Sequence, residues 1–369
     1  MRVGFGLTVL LCAALAGCTL PRGAALQTEV IASSKAESRD FAHYKISRET
    51  LAALERWPAG KHARPAHGWL TGGPGGRGQV LAAGDVVSLA VWENGENKLL
   101  TTDAAPSVEL QKTRVSASGK IFVPYIGEVE VAGLSPEAAR ARIEERLTPL
   151  IPAAQVQLEA EPGRSNSVDL IGGVAQPGNF PMQDRSLTAL GLISLGGGPR
   201  ADLRNPQLRL LRAGKVYETS MARLLERPGA DVGLRAGDKL IVREDPRYFL
   251  ALGASGKEEI IPFPQDELTA LEAITLAGGL TDTRANPRGL LVLREYPASA
   301  VRADGMGGPD RERVIFSLDL TTSDGLFSAQ NFRLEPRDLV LATESGAVSL
   351  RTMLGLMGTS VGVANAVTD

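Results

Sequence analysis

Two stretches of this chain read almost as copies of each other. "SLTALGLISLGGGPRADLRNPQLRLLR" begins at Ser186 and "ELTALEAITLAGGLTDTRANPRGLLVLR" begins at Glu267. Each carries Leu-Thr-Ala-Leu, a helical pattern of about three turns, a Gly-Gly stop, a turn ending in Asn-Pro, and a strand ending in Arg. Leu187, Leu190 and Ile193 share one predicted helix face, as do Leu268, Leu271 and Ile274. The glycines at 196–198 and 278–279 suit helix C-caps. Each copy closes on a turn and strand, "LRAGDKLIV" at 234–242 and "LEPRDLVLA" at 334–342. The second copy is longer, and its excess, "PASAVRADGMGGPDRERV", reads as an exposed loop. A duplicated helix–turn–strand unit confines the fold to a mixed α+β architecture with at least two similar small bodies.

Upstream of the copies, "FAHYKISRETLAALERW" predicts a short helix capped by Ser47 or Thr50, with Leu51, Leu54 and Trp57 at helical spacing. "PAGKHARPAHGWLTGGPGGRGQ" reads as a loop. Its Gly73-Pro74-Gly75-Gly76-Arg77-Gly78 matches a dinucleotide-binding pattern in letters only. No strand precedes it and no helix N-terminus follows to hold a pyrophosphate. From residue 80 the pattern becomes regular. "VVSLAVW" alternates as a strand after the turn Ala83-Gly84-Asp85, and "VSASGKIFVPYIGEVEVAG" reads as strands about a Ser118-Gly119 hairpin turn. Ser135-Pro136-Glu137 opens a helix with a cap, a first-turn Pro and an acid at the positive dipole end. Its Ala138, Ala139, Ile143 and Leu147 are expected to face a sheet, and "AQVQLEA" returns as a strand.

The length of 369 residues suggests two or three domains. Forty Lys+Arg against 42 Asp+Glu leave a net charge of −2, which gives no electrostatic case for nucleic acid. His43, His62 and His67 are the only histidines. His62 and His67 lie in the Pro/Gly loop with no cysteine or acidic partner nearby, so no metal site is expected. No Ser-His-Asp arrangement, H-E-x-x-H or phosphate loop falls on recognisable elements. Glu144-Glu145 and Glu258-Glu259 read as solvated surface charge, not as a carboxylate pair across a cleft. No catalytic residue is assigned.

Both cysteines, Cys12 and Cys18, fall within the first eighteen residues, "MRVGFGLTVLLCAALAGC". Arg2 supplies a positive n-region, and Val3 to Ala16 form an apolar run of signal-peptide length. The run ends Leu15-Ala16-Gly17-Cys18, which resembles a bacterial lipobox. Cleavage between Gly17 and Cys18 and lipidation of Cys18 are expected, against the alternatives of an uncleaved anchor or a plain signal peptide. No other cofactor is expected, and a chain beginning at Cys18 would hold no disulfide. Thr19, where inner-membrane lipoproteins tend to carry Asp, favours the outer membrane.

From residue 80 onward the residues resemble the bacterial polysaccharide export outer-membrane lipoproteins, the Wza-like capsule and exopolysaccharide exporters. The residues that carry the resemblance are Gly84-Asp85, Trp92-Glu93, Gly119, Ile121, Pro124, Ile126-Gly127, Val131, Gly133-Leu134-Ser135 and Ala138. The two copies resemble soluble-ligand-binding β-grasp units, and "GGVAQPGNFP" at 172–181 is close to the usual opening of such a unit. The second copy has "GASGKEEIIPF" without the Pro-Gly, so its first hairpin is expected to differ. The resemblance implies an α+β chain: an export domain at 80–162, β-grasp repeats at 167–243 and 247–343, and a C-terminal amphipathic membrane helix at 347–367. Before these come the signal peptide at 1–17 and an N-terminal segment at 18–79.

That resemblance further implies a transport protein and not an enzyme. Such proteins form a ring, about eight subunits by the resemblance, closed by rotational symmetry. The ring would pass a polysaccharide through the outer membrane, with most of the chain in the periplasm. The polymer would be handed over by an inner-membrane co-polymerase, often a tyrosine autokinase. The alternative is a non-spanning periplasmic lipoprotein that binds glycan or acts as a scaffold.

The tail "SLRTMLGLMGTSVGVANAVTD" has no charge between Arg351 and Asp369. On a helical wheel Leu350, Met353, Leu354, Met357, Val361 and Ala364 share a face, which would meet lipid. Arg351, Gly355, Gly358, Thr359, Gly362 and Asn365 gather on the other, which would meet sister helices or a wet lumen. About twenty helical residues span about 30 Å, the thickness of a bilayer core. The other reading is an amphipathic helix docked on its own domain.

Overall fold

The fold is that of a computed structural model, which describes residues 23–32, 40–63, 67–73, 79–93, 107–152, 154–183, 185–302 and 307–347. Gly17, Cys18, the glycine cluster at 74–78 and both faces of the tail at 350–365 lie outside the described residues. The chain divides into two compact units, Pro65–Asp245 and Met1–Arg64 with Pro246–Asp369.

The N-terminal described residues supply α1 (Gln27–Ala32), β1 (Ala42–Lys45) and α2 (Arg48–Leu54). Ser47 caps α2: its hydroxyl accepts from the Thr50 N–H, while Thr50 Oγ1 accepts from the Ser47 N–H. Leu51, Leu54 and Trp57 then pack against the core built by residues after 246. The segment is therefore part of the C-terminal unit. β1 joins that unit's sheet as an edge strand parallel to β15 (Arg313–Leu318).

In Pro65–Asp245, β2 (Val86–Glu93) lies between β3 (Ser107–Arg114) and β6 (Ala154–Glu161), antiparallel to both. β2 alternates buried and half-buried residues, as period-2 patterning requires. The Ser118-Gly119 turn exists, closed by the Ser116 N–H to the Lys120 carbonyl. The ladder of β4 (Lys120–Val123), however, is made with β5 (Gly127–Glu130), across a second turn at Pro124–Ile126. α3 (Pro136–Leu147) buries Ala139, Ile143 and Leu147, whereas Ala138 is exposed. Ala138 lies about 100° round the helix from Ala139, on the side of Arg142. Fourteen apolar residues from these elements and the turns beside them form one core.

The rest of this unit is a five-stranded sheet in the order β10-β9-β11-β7-β8, comprising β7 (Ser167–Gly172), β8 (Gly178–Pro181), β9 (Gln207–Arg212), β10 (Lys215–Ser220) and β11 (Lys239–Arg243). α4 (Ala189–Leu195) and α5 (Met221–Glu226) carry its covering residues Leu192, Ile193 and Leu224. The second unit holds a sheet in the order β1-β15-β14-β16-β12-β13, with β12 (Tyr248–Gly253), β13 (Glu259–Pro262), β14 (Ala285–Glu295) and β16 (Leu339–Glu344). α6 (Ala270–Leu276) and α7 (Ser323–Asn331) cover it.

The same backbone bonds occur in both sheets. Ser167 opposes Pro181 in one and Tyr248 opposes Pro262 in the other, a shift of 81 residues. The missing Pro-Gly therefore leaves the register of the second hairpin unchanged. Thr188 and Thr269 cap α4 and α6, each seven residues, or about two turns rather than three. Gly172 (φ 94°) and Gly253 (φ 91°) occupy matching strand ends. A Cβ at either would lie within 2.3 Å of a carbonyl oxygen, that of Val242 or Ala342, so no larger residue fits without backbone movement. The buried helix faces are Ala189, Leu192 and Ile193, and Ala270, Ala273 and Ile274. Leu187, Leu190 and Leu271 are only half-buried beside them, because alanines take the closest approach to the sheet. Within the long loop of the second unit, Ala300, Gly308 and Pro309 are buried, so that loop is not wholly exposed.

Candidate functional site

Gly84, Asp85, Gly119 and Gly133 come together as a knot at one end of the β2–β3–β6 sheet, whereas Pro124 and Gly127 lie at the far end of the β4–β5 ladder. Asp85 is buried, and its carboxylate accepts from the Ala82 N–H at 2.8 Å and the Gly163 N–H at 2.7 Å. Asn166 Nδ2 lies 3.4 Å from the same carboxylate. One side chain thus fixes the turn before β2 and the exit from β6. Gly84 has φ 94°, and its carbonyl sits 2.2 Å from where a Cβ on Gly163 would lie. The Gly119 carbonyl accepts from Val131 and Ala132, and the Gly133 N–H donates to the Leu81 carbonyl. Pro124 begins the β4–β5 turn, in which Tyr125 (φ 69°) precedes Gly127 (φ 71°). Phe122 and Tyr125 project from this hairpin, 63% and 59% exposed. These residues shape backbone; none is arranged for bond-making.

Two buried ion pairs escaped sequence reasoning. On β9 the Arg212 guanidinium binds Asp238 (Nη2–Oδ2 2.5 Å) and donates to the Gly233 carbonyl. On β14, Arg294 binds Asp338 (2.7 Å) and donates to the Arg333 carbonyl. Each Asp also accepts from the backbone of its own turn, at Arg235 or Glu335. The signal was present: both copied strands end in Arg, and both closing turns carry Asp. The second pair has a third member, Glu335, whose Oε1 binds Arg294 and whose Oε2 accepts from the Gly60 N–H. Burial pulls the Arg294 pKa down, but the charges of Asp338 and Glu335 outweigh it and raise the net value. Burial raises the Glu335 pKa against the pull of Arg294.

Beside this triad the second unit has a cavity of about 440 Å³. Its floor includes Ile315, Leu293 and Leu339, which lie in one row across β15, β14 and β16. Val30 and Phe41 wall it from the N-terminal segment. His62, Glu295, Arg313 and Arg337 also line it. Glu295 is held by Lys61 at 3.0 Å, which lowers its pKa. His62 Nε2 lies 3.9 Å from the same carboxylate, so the histidine has an acidic neighbour that its own loop did not reveal.

Elsewhere, Glu144 accepts from Arg140 and from the Val156 N–H, and Glu258 accepts from the Gly253 N–H. One member of each adjacent pair is therefore structural, not free surface charge. His43 Nε2 lies 2.9 Å from Ser317 Oγ, and burial alone lowers its pKa. Among the described residues no group of three or more His, Cys, Asp or Glu side chains is disposed to hold a metal ion. Among them, too, no helix is long and apolar enough to cross a membrane.

The knot around Gly84-Asp85 lies in a recognised domain. Residues 75–160 match the family described as polysaccharide biosynthesis/export protein. Similarity to individual proteins extends further along the chain. The chain is 27% identical over 291 residues to the capsule polysaccharide export protein BexD of Haemophilus influenzae, covering 74% of this chain and 73% of the relative. It is 24% identical to the capsule polysaccharide export outer membrane protein CtrA of Neisseria meningitidis, covering 75% and 76%. It is 28% identical to the EPS I polysaccharide export outer membrane protein EpsA of Ralstonia nicotianae, covering 75% and 74%.

Proposed function

We propose that this protein exports a capsular or extracellular polysaccharide from the periplasm to the cell surface. The observation that carries this reading is the export domain at 75–160 within a similarity that runs over about three quarters of the chain to proteins named for polysaccharide export. In this reading Cys18 bears the lipid anchor in the outer membrane. The copies at 167–243 and 247–343 act as β-grasp modules of a periplasmic ring. The tail at 347–367 contributes one helix to a membrane barrel, with Leu350, Met353 and Met357 toward lipid and Gly355, Gly358 and Gly362 toward neighbours. An inner-membrane co-polymerase delivers the polymer.

The test is genetic and direct. In cells lacking the gene, polymer should accumulate in the periplasm and vanish from the surface, and a plasmid copy should restore it. Cys18→Ala should leave the restored protein unlipidated and export impaired. Unchanged surface polysaccharide in the deletion strain would refute the assignment. Native mass spectrometry of the detergent-released protein tests the ring separately; a strict monomer would favour a scaffold role.

A further inference from the structure

The 440 Å³ cavity of the second unit has a two-part lining that the fold does not require. Strands place alternate residues on one face, so side chains two apart on adjacent strands form parallel rows. One row is apolar: Ile315, Leu293 and Leu339. Two residues along each chain comes Arg313, Glu295 and Arg337. An aliphatic row thus abuts a charged one within a single cavity.

The charged row carries excess positive charge. Glu295 is already bound by Lys61, and Glu335 and Asp338 are bound by Arg294. Among the described residues Arg313 has no ion pair within bonding distance, though its charge acts on Glu295. Arg337 has none either; its guanidinium lies over the Tyr248 ring.

Arg337 also occupies a conformation that disfavours it. Its φ is 67°, in the left-handed region, whereas the matching turn of the first sheet has Gly237 at φ 84°. An arginine there costs about 1 kcal/mol or more relative to glycine. The backbone of the turn is held without the side chain: Asp338 accepts from the Glu335 N–H, as Asp238 does from the Arg235 N–H. Arg337 lines the cavity and, with Tyr248, a neighbouring pocket as well.

The sister sheet sharpens the contrast. The positions matching Ile315, Leu293 and Leu339 are Val216, Leu211 and Lys239, the last beside Asp169. The first sheet therefore places an ion pair at one of the three positions, where the second is aliphatic throughout.

We infer that this cavity binds a single-chain anionic amphiphile, its acyl chain along Ile315, Leu293 and Leu339 and its carboxylate or phosphate head at Arg313 and Arg337. The volume lies within the range of small-ligand sites. The floor offers few hydrogen-bonding groups to a free sugar, and the two arginines complement an anionic head.

The test uses the full chain in a nonionic detergent and a photoactivatable dodecanoate carrying a diazirine on its chain. Labelling should map to the peptides bearing Leu293, Ile315 and Leu339, saturate, and be displaced by dodecanoate but not by glucuronate. Arg337→Gly should raise the Tm by a few degrees and weaken labelling about tenfold, and Arg313→Glu should weaken it as much with no change in fold. The lipid-phosphate source is distinguished from a fatty acid by competition with lysophosphatidate. Labelling spread over other surfaces, labelling indifferent to both substitutions, or displacement by glucuronate would each overturn the inference.

Discussion

At the scale of single residues, the C-terminal unit turns on Arg294. Its guanidinium is nearly buried and satisfies two acids at once, with Asp338 1% exposed at the side chain. Arg294→Met would strand those carboxylates in the interior, an imbalance that costs about 3–5 kcal/mol. The midpoint of denaturant unfolding of this unit should fall accordingly. Glu335 adds a pH dependence whose sign is fixed by its raised pKa. A carboxyl that holds its proton more tightly when folded stabilises below the ordinary value of 4.5, and that contribution is lost as pH rises through the folded value. The Tm of Glu335→Gln relative to wild type should therefore rise between pH 4 and pH 7. A relative Tm that falls over that range would reverse the assignment. Sequence reading found both arginines as strand ends, but their partners lie 26 and 44 positions away, beyond any local pattern. Tyr44 is a similar case: burial and its bond to Asp310 push its pKa up to about 12, across a separation of 266 residues.

At the scale of elements, local chemistry predicts starts better than faces. Ser47, Ser135, Thr188 and Thr269 all cap helices through a hydroxyl that accepts a backbone N–H, a short-range event written in adjacent residues. Thr269→Ala removes the bond its hydroxyl accepts from the Glu272 N–H and the one it donates to the Glu272 carboxylate, and should destabilise by about 1 kcal/mol in thermal unfolding. Which face turns inward is decided by the sheet beneath, and there Leu187 and Leu190 yield to Ala189 and Leu192. Gly119 shows why a motif glycine is fixed in the export domain. Its φ is 81°, and an added Cβ would lie 2.7 Å from that of Ala132. Gly119→Ala should cost more than about 1 kcal/mol and loosen the β4–β5 hairpin, read as faster amide exchange at Val131 and Ala132.

At the scale of the whole molecule, three separate cores hold the described chain, one for the export domain and one for each later sheet. The alternation in "VVSLAVW" and the doubling of Leu-Thr-Ala-Leu were legible because they are periodic. The docking of residues 40–63 onto the C-terminal sheet was not, since β1 pairs with a strand some 270 residues later and only a folded sheet edge can select it. The cavity was equally hidden, because its walls come from both ends of the chain. The central claim, export of a polysaccharide across the outer membrane, bears most directly on the tail. The decisive measurement is surface polysaccharide on intact cells whose only copy of the protein ends at residue 346. The account predicts none at the surface, with the truncated protein still lipidated at Cys18 and present at normal abundance. Normal surface polysaccharide from those cells would contradict it.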